Sequence, residues 1–210
     1  MGVEAMSIDW NSYEIYDPGV VGLLDSLPRS TARQAFDQLM AAKPARIEML
    51  RSLVRANGVV LGTTDTAVQD LNDWFRANVE PDRNKPGRLL PEWYSVVNDI
   101  SLFLGDLMIA RCPGLRWEFY IWGKKDVSYQ RHVIMGFTDS PNPKVNVDID
   151  RWLATYAHRI VASRGSIPHY GSATVRGVEI DIDAASASMP EREIEKDAFL
   201  SWLRNVEQRC

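Results

Sequence analysis

The sequence predicts an α+β fold: a helical N-terminal half, then a sheet based on an antiparallel hairpin, packed by a long central helix and C-terminal helices. Three observations predict it. Apolar residues recur every three or four positions through most of residues 30–111. Apolar and polar residues then alternate over 115–122, as they do in a strand. Helical and strand patterns do not alternate regularly afterwards, which argues against a doubly wound parallel sheet.

The chain is expected to form one domain preceded by an arm. Residues 1–29 mix aromatic and acidic residues around an Asp-Pro-Gly turn sequence, which predicts an irregular N-terminal arm. Residues 30–210 are predicted to form a single α+β domain, since 210 residues suit one domain of moderate size. The polar, proline- and glycine-rich stretch at 80–90 is the best candidate for an internal boundary.

Three helices are predicted before that stretch. The first begins after Ser30, which is a suitable N-cap residue. Pro44 is expected to open the second helix, which ends at the Asn-Gly pair of 57–58. The third begins at a sequence that resembles a capping box, at 66–69.

The central block is predicted to be a helix followed by a hairpin. The longest helix covers 91–111 and ends at Cys-Pro-Gly. Strands over 115–122 and 131–137 pair in an antiparallel hairpin whose register the sequence leaves open. Two sets of side chains alternate on the first strand: Leu115, Trp117, Phe119 and Ile121 on one face, and Arg116, Glu118, Tyr120 and Trp122 on the other.

The C-terminal part mixes loops with regular elements. Loops are predicted over 138–147 and 165–171. Asp148 is expected to cap a helix, and the alternating residues of 178–183 predict a half-exposed strand. A second capping sequence at 188–191 is expected to start the final helix.

Composition excludes several classes of protein. The formal net charge of −4 makes the chain a poor ligand for nucleic-acid backbones. No apolar run approaches the roughly 18–20 residues that a membrane helix requires. The first residues lack the basic and apolar regions of a signal peptide, so we expect a cytoplasmic protein. The oligomeric state is left open.

The two cysteines do not form a disulfide framework. Cys210 is the last residue and is expected to fray, so no structural bridge to Cys112 is predicted. Cys112 lies at the C-terminal end of the central helix, where the helix dipole disfavours a thiolate. We therefore expect it to be a small buried apolar residue and not a nucleophile.

No motif specifies a reaction, a cofactor or a metal. Phosphate-binding glycine loops and nucleophile elbows are absent from the sequence. The three histidines, His132, His158 and His169, lie too far apart in the sequence to form a recognisable ligand set. We therefore predict neither a cofactor nor a metal site.

One group of polar residues in the central block suits acid–base chemistry. Asp99 and Asp106 lie two turns apart on one face of the long helix. Glu118 and Tyr120 share a face of the first strand, and His132 can lie opposite them if the register allows. A structural polar network that orients the helix on the sheet is the favoured alternative, since structural ion pairs are common.

The aromatic residues of the hairpin suggest a binding surface. Most of the seven tryptophans fall on apolar helix faces and are expected in the core. Tyr120 and Trp122 differ, because they share the face that also carries Arg116 and Glu118. Exposed aromatics beside an arginine are typical of protein interfaces.

Three segments of the central block carry a resemblance to known sequences: 90–106, 113–119 and 131–137. Together they resemble a block found in uncharacterised bacterial proteins, and similar blocks occur among small accessory and immunity-like proteins. The resemblance covers a minor part of the chain and brings no catalytic residues with it. It implies a bacterial cytoplasmic location and a binding role.

The sequence therefore supports two hypotheses. The first is a non-catalytic bacterial interaction protein of the immunity or adaptor type. It binds a partner protein through the exposed face of the hairpin, with Tyr120 and Trp122 as anchors. The alternative is an enzyme or small-ligand binder with a pocket between the 91–111 helix and the 115–137 hairpin. Three candidate residues would converge in that pocket: Asp99, Glu118 and His132.

Overall fold

A computed structural model describes residues 8–164 and 194–210, and the backbone of two strands between them. Five helices and five strands follow one another in the described parts: α1 Arg29–Ala56, α2 Asp65–Asn78, α3 Pro91–Arg111, β1 Arg116–Phe119, β2 His132–Met135, β3 Asn146–Val147, α4 Ile149–Ser163, β4 Ser172–Val175, β5 Val178–Asp181 and α5 Ala198–Glu207. The α+β class and the helical N-terminal half are confirmed.

The first helix is continuous where the sequence predicted a break at Pro44. Its buried stripe runs from Ala32 through Leu39 to Leu50, in phase on both sides of the proline. Pro44 lies on the exposed face, where water can hydrate the carbonyl group that loses its N–H partner. Burial of one uninterrupted apolar stripe therefore outweighs the missing hydrogen bond, and the prediction of two helices was wrong.

Helix α3 is the centre of the fold. It packs against α1, α4 and α5, and most of its side chains are buried. On its sheet side, Gly105 leaves the space into which the ring of Trp117 fits, because a Cβ atom there would overlap that ring. This helix is therefore covered on more than one flank.

The hairpin strands form a three-stranded antiparallel sheet of order β1-β2-β3. Trp117 pairs with Ile134 and Phe119 with His132. The first strand ends at Phe119, three residues earlier than predicted. The third strand, Asn146–Val147, lies in the stretch that was expected to be only a loop.

One apolar core is shared by residues on both sides of the 80–90 loop. The loop is closed by a bridge between Pro81 and Leu89, and Leu89 is buried. The N-terminal arm joins the same core, since the ring of Trp10 packs edge-on against Trp93 of α3.

The C-terminus corrects the expectation about the cysteines. Cys112 and Cys210 form a disulfide across 98 residues, with Cα atoms 5.9 Å apart. The last turn does not fray in this structure, because α5 packs on α3 and Thr138 Oγ1 donates a hydrogen bond to the carbonyl of Cys210. Cys112 is buried as expected, but as half of a bridge.

Two other C-terminal predictions are confirmed in part. Asp148 caps α4, because its carboxylate accepts a hydrogen bond from the backbone N–H of Arg151. The predicted strand is present as Val178–Asp181, paired with Ser172–Val175. The final helix begins at Ala198 in the described residues; the predicted start at 188–191 lies outside them.

Candidate functional site

A cavity of about 320 Å³ lies between the N-terminal arm, α1, the start of α3 and the beginnings of β2 and α4. Its walls are mainly apolar: Ile15, Pro18, Ala35, Phe36, Leu39 and Val97. Ser95, Asn98, Gln130, His132 and Asp150 add polar groups to the lining. Concave, apolar sites with a few converging polar groups are typical of small-ligand sites.

His132 is the one residue of this cavity that the sequence singled out. Its side chain is only 8% exposed. Its Nε2 has no hydrogen-bond partner among the residues that the structure describes. Most buried polar atoms in proteins have a hydrogen-bond partner, so an unpaired buried nitrogen on a residue that lines a cavity is uncommon.

The surroundings of His132 keep its imidazole neutral. Burial lowers the pKa of His132 below its ordinary value of 6.5, and the positive charge of Arg131 adds to this effect. The carboxylates of Asp150 and Asp148 act in the opposite direction, but burial dominates. A neutral imidazole has one donor and one acceptor nitrogen, so it can either donate or accept a hydrogen bond.

A bulge at the start of β2 sets the position of His132. The backbone N–H of Tyr120 donates to Arg131 O, and the N–H of Gln130 donates to Tyr120 O. Gln130 has a φ of 62°, which is uncommon for a residue with a side chain. The extra residue in the turn fixes which strand face His132 occupies, and the sequence pattern does not reveal it.

The same bulge residue holds the arm over the cavity. The Gln130 side-chain amide donates hydrogen bonds to the backbone carbonyls of Leu24 and Leu27. Leu24 is the first residue of a short 3-10 helix, Leu24–Ser26, and Leu27 directly follows it, near the end of the arm. One side of the cavity is therefore fastened to the hairpin.

The other side of the arm is fastened by a buried ion pair. Arg46 of α1 donates two hydrogen bonds to Asp99 of α3, at 2.9 and 2.6 Å. The hydroxyl of Tyr13 also donates to Asp99, at 2.6 Å. The backbone N–H of Tyr16 donates to Ser95 Oγ at 2.8 Å. The wall that contains Ile15 and Tyr16 thus depends on this network.

Burial and charge act against each other in this network. Burial raises the pKa of Asp99, while hydrogen bonds from Arg46 and Tyr13 act to lower it. Burial raises the pKa of Tyr13 well above its ordinary value, and the charge of Asp99 adds to the effect. The Tyr13 hydroxyl therefore stays protonated and acts as a hydrogen-bond donor. All these groups are used to join arm, α1 and α3.

A second ion cluster closes the cavity near His132. Arg131 donates hydrogen bonds at 2.6 Å to both Asp148 and Asp150. The pKa of Arg131 is raised because the two carboxylates outweigh its burial. Asp148 and Asp150 are therefore structural: Asp148 caps α4, and both carboxylates bind Arg131.

The three candidate catalytic residues do not converge. Asp99 is fully buried in its pair with Arg46 and does not line the cavity. Glu118 pairs with Val133 in the sheet, one position away from His132, so these two side chains lie on opposite faces. Glu118 instead forms an exposed ion pair with Arg116. Only His132 reaches the cavity.

The second carboxylate on the polar side of α3, Asp106, is also engaged. It forms an ion pair with Lys43 of α1 and accepts a hydrogen bond from Trp117 Nε1 at 2.8 Å. Asp99 and Asp106 therefore each pair with a basic residue of α1. Both carboxylates therefore belong to a structural polar network that orients the helix, which is the alternative that the sequence analysis favoured.

The two predicted binding residues have different surroundings. Tyr120 is only 2% exposed, and its hydroxyl donates to Asp126 at 2.9 Å. It packs with Val133 and Met135 beneath the 123–130 turn, so the expectation that it is an exposed anchor was wrong. The strand ends at Phe119, and the chain then folds back over this face. Trp122, in contrast, is 52% exposed.

Sequence reasoning missed Arg46 and Gln130. A signal for Arg46 was present: it lies seven residues after Leu39 and four before Leu50, on the buried stripe of α1. A cation at such a position needs a buried carboxylate, and Asp99 was already a candidate. Gln130 had no such signal, because its role depends on a bulge between strands.

Two further properties concern the described parts of the chain. They contain no group of three histidine, cysteine, aspartate or glutamate residues arranged to hold a metal ion. No helix in them has the length and apolar character needed to cross a bilayer.

Comparisons with protein-family models, with curated proteins and with solved structures gave no match for this chain. The resemblance of the central block to bacterial immunity-like proteins stays a prediction. The geometry of the site therefore carries the functional argument.

Proposed function

We propose that this protein binds a small, mainly apolar molecule in the cavity beneath the N-terminal arm. The observation that carries the proposal is a mainly apolar cavity whose lining includes His132, a buried histidine with an unpaired Nε2. The volume, about 320 Å³, falls at the lower end of the roughly 300–1,000 Å³ common for ligand pockets. Burial of apolar ligand surface would supply most of the affinity.

The charges around the cavity favour a neutral ligand. Asp150 is paired with Arg131, and Asp99 behind the wall is paired with Arg46. Because Arg131 and Arg46 are already paired, neither supplies a free positive charge for a ligand carboxylate. A neutral imidazole at His132 suits a hydroxyl or carbonyl group, which gains a hydrogen bond worth roughly 0.5–1.5 kcal/mol. A hydroxylated apolar molecule fits both requirements.

The proposal concerns binding and includes no reaction. Acid–base catalysis requires the acting groups within hydrogen-bond reach of one substrate atom. Asp99 is enclosed by Arg46 and Tyr13, and Glu118 lies on the other face of the sheet. The alternative predicted from the sequence was an enzyme or a small-ligand binder. The surroundings of these carboxylates support a small-ligand binder better than an enzyme.

A pair of probes tests the cavity: 2-naphthol and naphthalene, which differ by one hydroxyl group. We expect 2-naphthol to bind with a Kd on the order of 100 µM, typical for a small aromatic molecule. It should bind about 2- to 13-fold more tightly than naphthalene, the equivalent of one hydrogen bond. Titration followed by NMR of the His132 side-chain nitrogens measures both affinities.

Two substitutions locate the binding site. Ala35→Phe fills the cavity and should abolish binding of both probes, because Ala35 lines the wall. Ala45→Phe, on the exposed face of the same helix, is the matched control and should leave binding unchanged. His132→Phe should remove the preference for 2-naphthol. Equal binding by all variants, or no binding by the native protein, would contradict the proposal.

A second candidate function is binding of a partner protein at the hairpin, with Trp122 as the one exposed anchor of the two that were predicted. Trp122 is half exposed. Ile121 and Val127, which belong to the same loop between β1 and β2, are exposed as well. Affinity capture should lose a specific partner with Trp122→Ala and keep it with Val60→Ala, a control at a distant exposed loop. An unchanged set of captured proteins would end this candidate.

The bacterial immunity- or adaptor-type role belongs to this second candidate. The cytoplasmic location implied with it is opposed by one observation, the disulfide between Cys112 and Cys210. Structural disulfides persist in oxidising compartments and are rare in the cytosol. Thiol titration of the protein recovered from its native cells distinguishes the two settings.

A further inference from the structure

The outer edge of β1 has unpaired backbone groups. In the order β1-β2-β3, this strand has a neighbour on one side only. Antiparallel pairing alternates, and the bonds of Tyr120 to the opposite strand make Trp117 and Phe119 the residues whose N–H and C=O groups point outward. Within the described residues these groups have no hydrogen-bond partner. Such an edge can accept another extended chain.

Basic side chains flank this edge. A groove beside β1 is lined by Arg29, Arg33 and Arg116, with Glu118 as its one carboxylate. This excess of positive charge stands out on a chain of net charge −4. Arg29 forms no ion pair with any residue that the structure describes.

The other two arginines can change partners at low cost. Arg33 pairs with Asp37 and Arg116 with Glu118, and all four side chains are at least one-third exposed. Exposed pairs of this kind contribute roughly 0–1 kcal/mol each. A partner whose carboxylates replace Asp37 and Glu118 at these guanidinium groups therefore costs the protein little stability.

The floor of the groove is apolar. It consists of Phe119, Ile121, Trp122, Met135 and Pro143. The Arg33 guanidinium carbon lies 5.7 Å from the centre of the Phe119 ring, so charge and aromatic surface are in contact. A ligand that fits must carry both negative charge and apolar side chains.

We propose that this groove binds an extended, acidic segment of a partner protein, which adds as a strand beside β1. The inference rests on partner binding at the hairpin and specifies the conformation and charge of the partner. Backbone bonds to Trp117 and Phe119 hold the segment, as in other cases of strand addition. Alternate side chains reach the arginines and the apolar floor.

Two other occupants fit less well. A nucleic acid would place phosphates beside Glu118 and lacks the alternating N–H and C=O groups that the edge requires. A second copy of the chain, paired edge to edge, would bring its own Arg29, Arg33 and Arg116 near those of the first. Like charges at an interface oppose such a dimer.

A fluorescent peptide of alternating glutamate and valine provides the test on the full-length protein. We expect an anisotropy titration to give a Kd on the order of 10–100 µM. Two N-methylated versions carry the methyl group on every valine or on every glutamate. Only the version that loses the N–H groups facing β1 should bind weakly, by about tenfold or more.

Charge reversal locates the contact. Arg29→Glu combined with Arg116→Glu should weaken peptide binding about tenfold or more. Arg55→Glu combined with Arg83→Glu makes the same change at exposed positions elsewhere and should leave the Kd within about twofold. Circular dichroism and the melting temperature verify that both double variants remain folded.

Each remaining outcome overturns the inference. These outcomes are absence of peptide binding, equal loss in both double variants, and equal binding of both N-methylated peptides. Competition by oligothymidylate would indicate a nucleic-acid site, and a dimer in light scattering that Arg116→Glu dissociates would indicate self-association. If Trp122→Ala loses a captured partner but the peptide does not bind, strand addition fails and partner binding stands.

Discussion

The two sides of α3 are held by different forces. Toward α1, the helix presents Asp99 and Asp106, which pair with Arg46 and Lys43. Toward α2, α4 and α5 it joins an apolar and aromatic core, in which Trp93 packs against neighbouring rings. The α1 side of the helix therefore combines charge pairs with apolar contacts, whereas the other side is held by packing.

The difference shows how stability and orientation are divided in this fold. Apolar packing is non-directional and supplies most of the free energy of folding. A buried ion pair adds little net stability but is costly to break, since each charge needs its partner. The polar side of α3 therefore fixes one arrangement of α1 and the arm, and that arrangement encloses the cavity.

The largest effect is expected on the packed side. Phe75 is fully buried and touches the rings of Trp93, Tyr156 and Phe199. Phe75→Ala should lower the free energy of unfolding by about 4 kcal/mol, through lost apolar contact and the cavity left behind. Urea denaturation measures the change. Phe75→Leu should lose less, and equal losses would contradict a close-packed aromatic core.

A slightly smaller effect is expected when the buried pair is broken. Asp99→Ala leaves the Arg46 charge without a partner and should cost about 3 kcal/mol. Asp106→Ala is the matched control: Lys43 is more accessible to water, so the loss should stay below about 1 kcal/mol. Similar losses in the two variants would show that burial of the pair has no special role.

A compensating double variant separates charge from shape. Arg46→Met combined with Asp99→Leu removes both charges and should recover most of the stability lost in Asp99→Ala. It should also release the arm, because Tyr13 loses its acceptor. Faster amide exchange at Tyr13 and Tyr16, measured by NMR, would report that release. Unchanged exchange would show that the pair does not hold the arm.

The disulfide also stabilises the packed side of α3, because it joins the end of this helix to the C-terminus. Cys112→Ser with Cys210→Ser should lower the free energy of unfolding by about 2–3 kcal/mol, because the unfolded chain gains freedom. A reductant should destabilise the native protein by a similar amount and leave the double variant unchanged. A native protein that is insensitive to reductant would contradict a structural bridge.

The smallest effect concerns pH. His132 has a lowered pKa when folded, so below its ordinary value of 6.5 the unfolded chain binds more protons than the folded one. The stability contributed by the neutral imidazole is complete above that pH. It declines as the pH falls toward the folded pKa, by at most about 1.4 kcal/mol per pH unit.

His132→Gln should remove this part of the decline, as measured by urea unfolding between pH 8 and 5. The partly buried His158 also has a pKa lowered by burial and contributes with the same sign. His158→Gln is therefore the matched control, with a smaller expected change. Parallel stability curves for the native protein and His132→Gln would show that His132 is not buried in its neutral form.

Much of the fold could be predicted because the signals are local. The limits of α3 follow from Pro91 at its start and from the Cys-Pro-Gly sequence at its end, and the structure reproduces them. Asp148 caps α4 as its position before an apolar periodic stretch suggests. In both cases the interacting groups lie within a few residues of each other.

The candidate site could be predicted only in fragments. His132 and Asp99 were singled out by residue type, but their surroundings differ from those expected. The strand register and the bulge at Gln130 decide which face each side chain occupies, and neither is visible in local periodicity. Tyr120 was misjudged for the same reason, because the turn that covers it begins where the strand stops early.

Local sequence patterns suffice for the α+β class, the helical first half and the central helix, since these depend on periodicity, caps and breaks within short windows. Long-range packing is needed for three other features: α1 continues through Pro44, Cys112 bonds to Cys210, and His132 lines a cavity. Each of these depends on residues that are distant in the chain, whose contact becomes favourable only when the whole core packs.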